Sequence, residues 1–82
     1  MESRISIISI IVEDTSVASE INELLHQFGG YIIGRMGIPC KERGISIICV
    51  VLEAPGDVVS SLSGKIGMIS GVSTKTVTSK SK

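Results

Sequence analysis

The chain has 82 residues and a mass of 8.6 kDa, which suits one hydrophobic core and not two. Hydrophobic residues make up 43% of it but aromatic residues only 2%, so the apolar mass is aliphatic, with fourteen Ile and eight Val. Eight basic and eight acidic residues give zero formal charge, which argues against a direct nucleic-acid partner.

The sequence also indicates the compartment. The most apolar runs, Ile7 to Val12 and Ile45 to Leu52, are shorter than the roughly 18 to 20 residues of a membrane span, and neither follows a signal-peptide n-region. Two cysteines are too few for a disulfide framework. We therefore expect a cytoplasmic protein with no membrane partner.

The first predicted elements are a strand and a helix. Arg4 to Glu13 is apolar at both alternating sets of positions, as in a central strand covered on both faces. Glu13 to Ser16 offers side chains that cap a helix and suit its positive N-terminus. A stripe of aliphatic residues predicts a helix from about Thr15 to Phe28, ended by left-handed backbone at Gly29 and Gly30.

The middle of the chain indicates a β-hairpin. Strand character returns from Tyr31 to Ile38, and a polar connection from Pro39 to Gly44 follows. The next strand, Ile45 to Glu53, is again apolar at both sets of positions. It is therefore predicted to be the second central strand.

The last third repeats the order of helix and strand. The segment from Pro55 to Asp57 should end the strand and then cap a helix. This short amphipathic helix is predicted to end at Gly67. Val72 to Thr78 is rich in threonine, which suits an edge strand exposed on one face. We expect one domain over residues 1–78 and a frayed tail over 79–82.

The order βαββαβ predicts an α+β fold, the ferredoxin-like plait: a four-stranded antiparallel sheet with both helices on one face. Two helices cover only one face of the sheet, whereas both faces of the central strands are aliphatic. A second copy of the chain is the expected cover, so we expect a homodimer or higher oligomer formed through the sheet.

Five short motifs carry a resemblance to a known family. They are Val12-Glu13-Asp14, Asn22-Glu23-Leu24-Leu25-His26, Gly34-Arg35-Met36-Gly37, Leu62-Ser63-Gly64-Lys65-Ile66-Gly67 and Ser70-Gly71-Val72. With nearly the whole chain, they resemble small bacterial iron-only hydrogenase system regulators. The resemblance implies an ACT-like, ferredoxin-like fold similar to the ligand-binding domain of the nickel-responsive regulator, an oligomer, and a role connected with the hydrogenase.

Four residues are candidates for ligand binding. ACT domains that bind amino acids use the first strand-to-helix loop, so the resemblance implies a site at Asp14, Thr15 and Ser16. The alternative is that these residues only cap the N-terminus of the helix. The acidic loop would repel the carboxylate of an amino-acid ligand, which favours this alternative. Arg35 stands between Gly34 and Gly37, where a ligand could approach; the alternative is an ordinary strand arginine paired with an acid.

Metal binding and catalysis are not expected. His26, Cys40 and Cys49 are too few for a closed site, and the nickel regulator's histidine set has no counterpart, so we expect no metal and no cofactor. His26 has no evident partner for acid–base or nucleophilic chemistry, so no enzyme is expected. Central strands without aromatic residues argue against RNA recognition.

Two functions of different classes remain open. In the first, the chain is a homo-oligomeric ACT-like regulatory module that senses a small-molecule effector at a protomer interface. In the second, it is a protein-interaction or assembly factor that binds a protein partner and no ligand of its own. The residues alone do not separate the two.

Overall fold

The computed structural model describes residues 2–80 and shows a four-stranded antiparallel sheet with two α-helices. The strands are β1 (Ser3–Val12), β2 (Ile32–Cys40), β3 (Ile45–Pro55) and β4 (Val72–Thr78), and the helices are α1 (Ala18–Gln27) and α2 (Gly56–Gly67). The strand order β2-β3-β1-β4 places β1 and β3 at the centre. This arrangement is the predicted ferredoxin-like plait, with β4 as the predicted edge strand.

The strand register decides which side chains share a face. β1 pairs antiparallel with both β3 and β4, and Ile7 lies opposite Val51 on one side and Val77 on the other. β2 pairs antiparallel with β3, with one irregularity between Ile32 and Gly34. Directly paired residues point to the same face of the sheet. We call residues that are paired across neighbouring strands a register row; all side chains of one row lie on one face.

The hydrophobic core lies between the sheet and the helices. It contains Ile8, Ile10, Val12, Ile21, Leu25, Ile48, Val50, Leu52, Ala54, Val59, Leu62 and Ile66. On α1, the predicted stripe faces this core, with Ile21 and Leu25 buried and Phe28 packed against it. The 3.6-residue period of the helix therefore brings the stripe onto the same face of the sheet as alternate residues of β1 and β3.

The turns differ in detail from the prediction. Thr15–Val17 forms a separate 3-10 turn before α1 begins at Ala18. The prediction of left-handed backbone at Gly29 and Gly30 is wrong, because both lie in a 3-10 turn that tightens the end of the helix. Left-handed backbone occurs instead at Gly44, with φ 65°, and at Gly71, with φ 80°.

The chain ends shortly after β4. The Ser79 N–H donates to the Ile5 carbonyl at 2.9 Å, so hydrogen bonding to β1 extends one residue beyond the strand. Residues 81–82 of the predicted tail lie outside the described residues, and fraying of the tail stays a prediction. Within residues 2–80, no helix is long and apolar enough to cross a membrane.

Candidate functional site

The face of the sheet opposite the helices is aliphatic and uncovered in the protomer. We term it the open face; its apolar members are Ile5, Ile7, Ile11, Met36, Ile38, Cys40, Ile45, Ile47, Cys49, Val51, Pro55 and Val77. Ile7 and Ile47, on the two central strands, are 39% and 40% exposed, and Val77 on the edge strand is 66% exposed. Contiguous exposed apolar surface is typical of interaction sites.

The open face carries little charge. Glu53 shares a register row with Ile5, and Lys75 shares one with Ser9, so one acid and one base lie on this face. The two charges cancel, and the remaining polar positions in these rows are hydroxyls. The surface is therefore neutral as well as apolar.

The loop after β1 acts as a cap in this structure. One carboxylate oxygen of Asp14 accepts hydrogen bonds from the Ser16 hydroxyl at 2.6 Å and the Ser16 backbone N–H at 3.0 Å. The hydroxyl contributes most and the N–H less to a pKa of Asp14 that lies below its usual range. Asp14 is thus the N-cap of the 3-10 turn, as the plain interpretation of this loop predicts.

The same loop packs against the start of β4. The Glu13 N–H donates to the Gly71 carbonyl at 2.8 Å. A Cβ atom built on Gly71 would lie 2.8 Å from the Asp14 Cβ atom, closer than side chains can approach. Asp14 therefore occupies the space that glycine leaves at position 71. The turn at Gly71 and the loop after β1 pack directly against each other.

Arg35 lies in a different place. It is on β2, opposite Val50, and its Nη2 donates to the Asn22 side-chain oxygen on α1 at 2.9 Å. The alternative of an arginine paired with an acid is wrong for the described residues, because this amide is its partner. The bond spans a cleft of about 310 Å³, the α1–β2 cleft, lined by Val12, Ala18, Asn22, Arg35, Gly37, Ile38, Pro39, Ser46, Ile47 and Ile48.

The structure does not join the four predicted ligand residues in one cleft. Arg35 lines the α1–β2 cleft, whereas Asp14, Thr15 and Ser16 are outside its lining. Sequence reasoning missed Asn22, although it belongs to one of the resembling motifs. The available signal was topological: the connection from β1 to the parallel strand β2 crosses one face of the sheet through α1, so polar residues of α1 can face β2.

The possible metal ligands are dispersed. His26 is exposed on α1, Cys40 ends β2 and is half-buried, and Cys49 is half-buried on the open face. Within residues 2–80, no three His, Cys, Asp or Glu side chains come together as a metal-binding group. Both cysteines are free thiols.

Two further grooves lie on the other side of the helix layer. One, of about 470 Å³, runs between α2 and β4 and is lined by glycine, valine and hydroxyl residues. Across it, Thr76 Oγ1 donates to Ser63 Oγ at 3.2 Å. The other, of about 340 Å³, includes both Glu2 and Arg4 in its lining.

The fold and these surfaces define a small ferredoxin-like α+β protein with one helix-covered face and one aliphatic face. Residues 4–76 match the family described as "TM1266-like: Iron-only hydrogenase system regulator, putative", and the chain belongs to this family.

Solved structures agree with this assignment. The structure of the uncharacterized protein TM1266 from Thermotoga maritima is 42% identical, with a TM-score of 0.92. The alignment covers 96% of this chain and 100% of that chain. No curated protein matches. Agreement over nearly all of this chain and all of the other shows that the two chains share the plait.

Proposed function

We propose that the protein is a cytoplasmic, homo-oligomeric regulator of the iron-only hydrogenase system that catalyses no reaction itself. In this proposal, copies associate through the open face, and a small molecule bound at a protomer boundary sets the regulatory state. The connection with the hydrogenase comes from the family description. The observation that carries the proposed mechanism is the uncovered aliphatic face of the sheet.

The size of the open face suits an interface between copies. A protein interface of standard size buries about 800 Å² per partner, which is about 15% of the 5250 Å² exposed by this protomer. One face of a two-layer protein can supply that share. Each CH₂ group removed from water contributes about 0.8 kcal/mol, so the aliphatic rows of β1 and β3 provide the driving force.

Charge favours a second copy over a different protein. Glu53 and Lys75 give the open face no net charge, so two copies meet without like-charge repulsion across the whole surface. A two-fold interface places the same patch on both sides, which requires a surface complementary to itself. A neutral aliphatic sheet face meets this condition.

The test compares two substitutions that each add one carboxylate. Ile7→Asp places the charge in the middle row of the open face, and Met68→Asp places it at the 86% exposed C-terminal end of α2, away from the sheet. In sedimentation velocity at about 10 to 200 µM protomer, we expect the wild type and Met68→Asp to be oligomeric and Ile7→Asp to be monomeric.

Circular dichroism confirms that each variant is folded before its mass is interpreted. A wild type that remains monomeric throughout this range contradicts self-association, and the protein-interaction factor is then the better description. If Ile7→Asp stays folded and oligomeric, the copies associate through another surface.

A further inference from the structure

We propose that the α1–β2 cleft binds a small monocarboxylate with a branched aliphatic body, whose carboxylate is held by Arg35 and Asn22. The inference rests on the proposed function, because it names the class of ligand to which the regulator responds. It concerns a single cleft and uses none of the residues of the Asp14 loop.

The charge of the cleft selects an anion. Arg35 is the one ionisable residue in its lining, and within residues 2–80 its side chain bonds only to Asn22. A guanidinium has five N–H donors, and this bond uses one. The Asn22 amide nitrogen and the Ser46 hydroxyl supply further donors to the same cleft. A carboxylate accepts such donors and pairs with arginine in a fork.

The rest of the cleft is apolar and has room. Half-buried Ala18 and exposed Pro39 contribute accessible apolar surface, and the core residues Val12 and Ile48, which are 0% and 9% exposed, lie behind it. Gly37 faces the helix side of β2, and a Cβ atom built there would meet nothing within 4 Å. A volume of about 310 Å³ lies at the small end of ligand sites, which are about 300 to 1,000 Å³.

The composition of the lining also disfavours an α-amino acid. An ammonium group in the cleft would lie near the Arg35 guanidinium, and no aspartate or glutamate lines the cleft to receive it. The α2–β4 groove has no ionisable residue in its lining, and the third groove combines Glu2 with Arg4. The α1–β2 cleft alone among the three pairs a single positive charge with a mainly aliphatic wall.

The position of the cleft connects it to self-association. The side chains of Ile38 and Ile47 point to the open face, whereas the cleft that these two residues also line is on the helix side of the sheet. A copy packed on the open face would therefore contact the Ile38 and Ile47 side chains, and the ligand would lie on the other side of the same strand segments.

The experiment is a titration followed by ¹H–¹⁵N NMR, with isovalerate as the probe. We expect saturable shifts of the Ala18, Gly37 and Ser46 amide signals. Arg35→Gln is expected to weaken binding about tenfold or more, because it removes the charged donors. Arg4→Gln makes the same change at the start of β1, whereas the cleft is lined by Val12 at the end of that strand, so the affinity is expected to stay unchanged.

Three analogues test the ligand class. Isovaleramide has no charge, acetate has no branched body, and valine is the 2-amino derivative of the same carbon skeleton; each is expected to bind more weakly than isovalerate. Equal binding of isovaleramide would overturn the role of the carboxylate. Equal binding of valine would overturn the argument from the missing acidic residue, and equal binding of acetate would overturn the role of the aliphatic wall.

The proposal itself fails if isovalerate up to about 50 mM shifts no cleft signal, or if Arg35→Gln binds as well as the wild type. Gly37→Val provides a second variant that fills the cleft without removing Arg35, and it too should abolish the shifts. Sedimentation without any probe tests self-association independently. If the protein is oligomeric but isovalerate shifts no cleft signal, the ligand class is refuted and the proposed oligomer is not.

Discussion

Replacing Gly71 with alanine should destabilise the protein through two separate effects. The first is conformational, because Gly71 has φ 80° and a residue with a Cβ atom pays about 1 to 2 kcal/mol in left-handed backbone. The second is steric, because the new Cβ atom would lie 2.8 Å from the Asp14 Cβ atom and 3.4 Å from the Asp14 backbone nitrogen. Relieving such a contact costs about 1 to 3 kcal/mol.

Gly44→Ala is the matched control for the first effect. Gly44 also has a positive φ, 65°, but a Cβ atom there meets nothing within 4 Å. We therefore expect a loss of about 1 to 2 kcal/mol in the free energy of unfolding for Gly44→Ala and about 2 to 5 kcal/mol for Gly71→Ala. The difference between them measures the contact between Gly71 and the Asp14 loop.

Urea unfolding at one fixed protomer concentration gives both values, since association would make stability depend on concentration. Asp14→Gly removes the atom that the new methyl group would meet, so adding it to Gly71→Ala should cost less than adding it to the wild type. Equal losses for Gly44→Ala and Gly71→Ala, with additive behaviour of the double variant, would refute the steric argument.

Two further predictions concern the Asp14 carboxylate and His26. Folding lowers the pKa of Asp14, so the carboxylate contributes stability above its ordinary pKa, near pH 4, and that stability is lost as the pH falls through the folded-state pKa. Asp14→Asn should therefore lose less stability than the wild type when the pH is lowered below about 4, as measured by urea unfolding. The same loss in both proteins contradicts this role. Because His26 is exposed, His26→Ala should change the free energy of unfolding by less than about 0.5 kcal/mol. Metal analysis should find the same metal content in the variant and the wild type. Stoichiometric metal in the wild type that is lost in the variant contradicts the prediction.

The elements of the fold could be predicted because each has a strong local period. The apolar positions of β1 and β3 predicted two central strands, and the stripe of α1 predicted a helix packed on them, as the structure has it. That one face of the sheet stays uncovered also followed from the sequence, because two helices cover one face only; which set of strand residues faces the helices did not follow, since both sets are apolar. These inferences need only the period of each element and the order of the elements.

The contacts between elements could not be predicted in the same way. Gly71 needs left-handed backbone because the turn before β4 meets the loop before α1, and these segments are far apart in sequence. The bond between Arg35 and Asn22 depends on how α1 lies beside β2, which their spacing in the chain does not encode. Both features are tertiary, and local pattern carries little information about them.

The composition of the open face bears on how a regulator of this kind would respond. Tight interfaces concentrate their energy in Trp, Tyr and Arg, and within residues 2–80 the register rows of the open face contain none of these. Association driven by aliphatic contacts alone is expected to be weak and reversible. A coupling free energy of about 1 to 3 kcal/mol changes affinity about 5- to 150-fold, which is enough to shift such an equilibrium. The cleft and the open face lie on opposite sides of the strand segments that contain Ile38 and Ile47. A ligand that shifts these segments would supply that coupling, and by reciprocity self-association would change the ligand's affinity by the same factor.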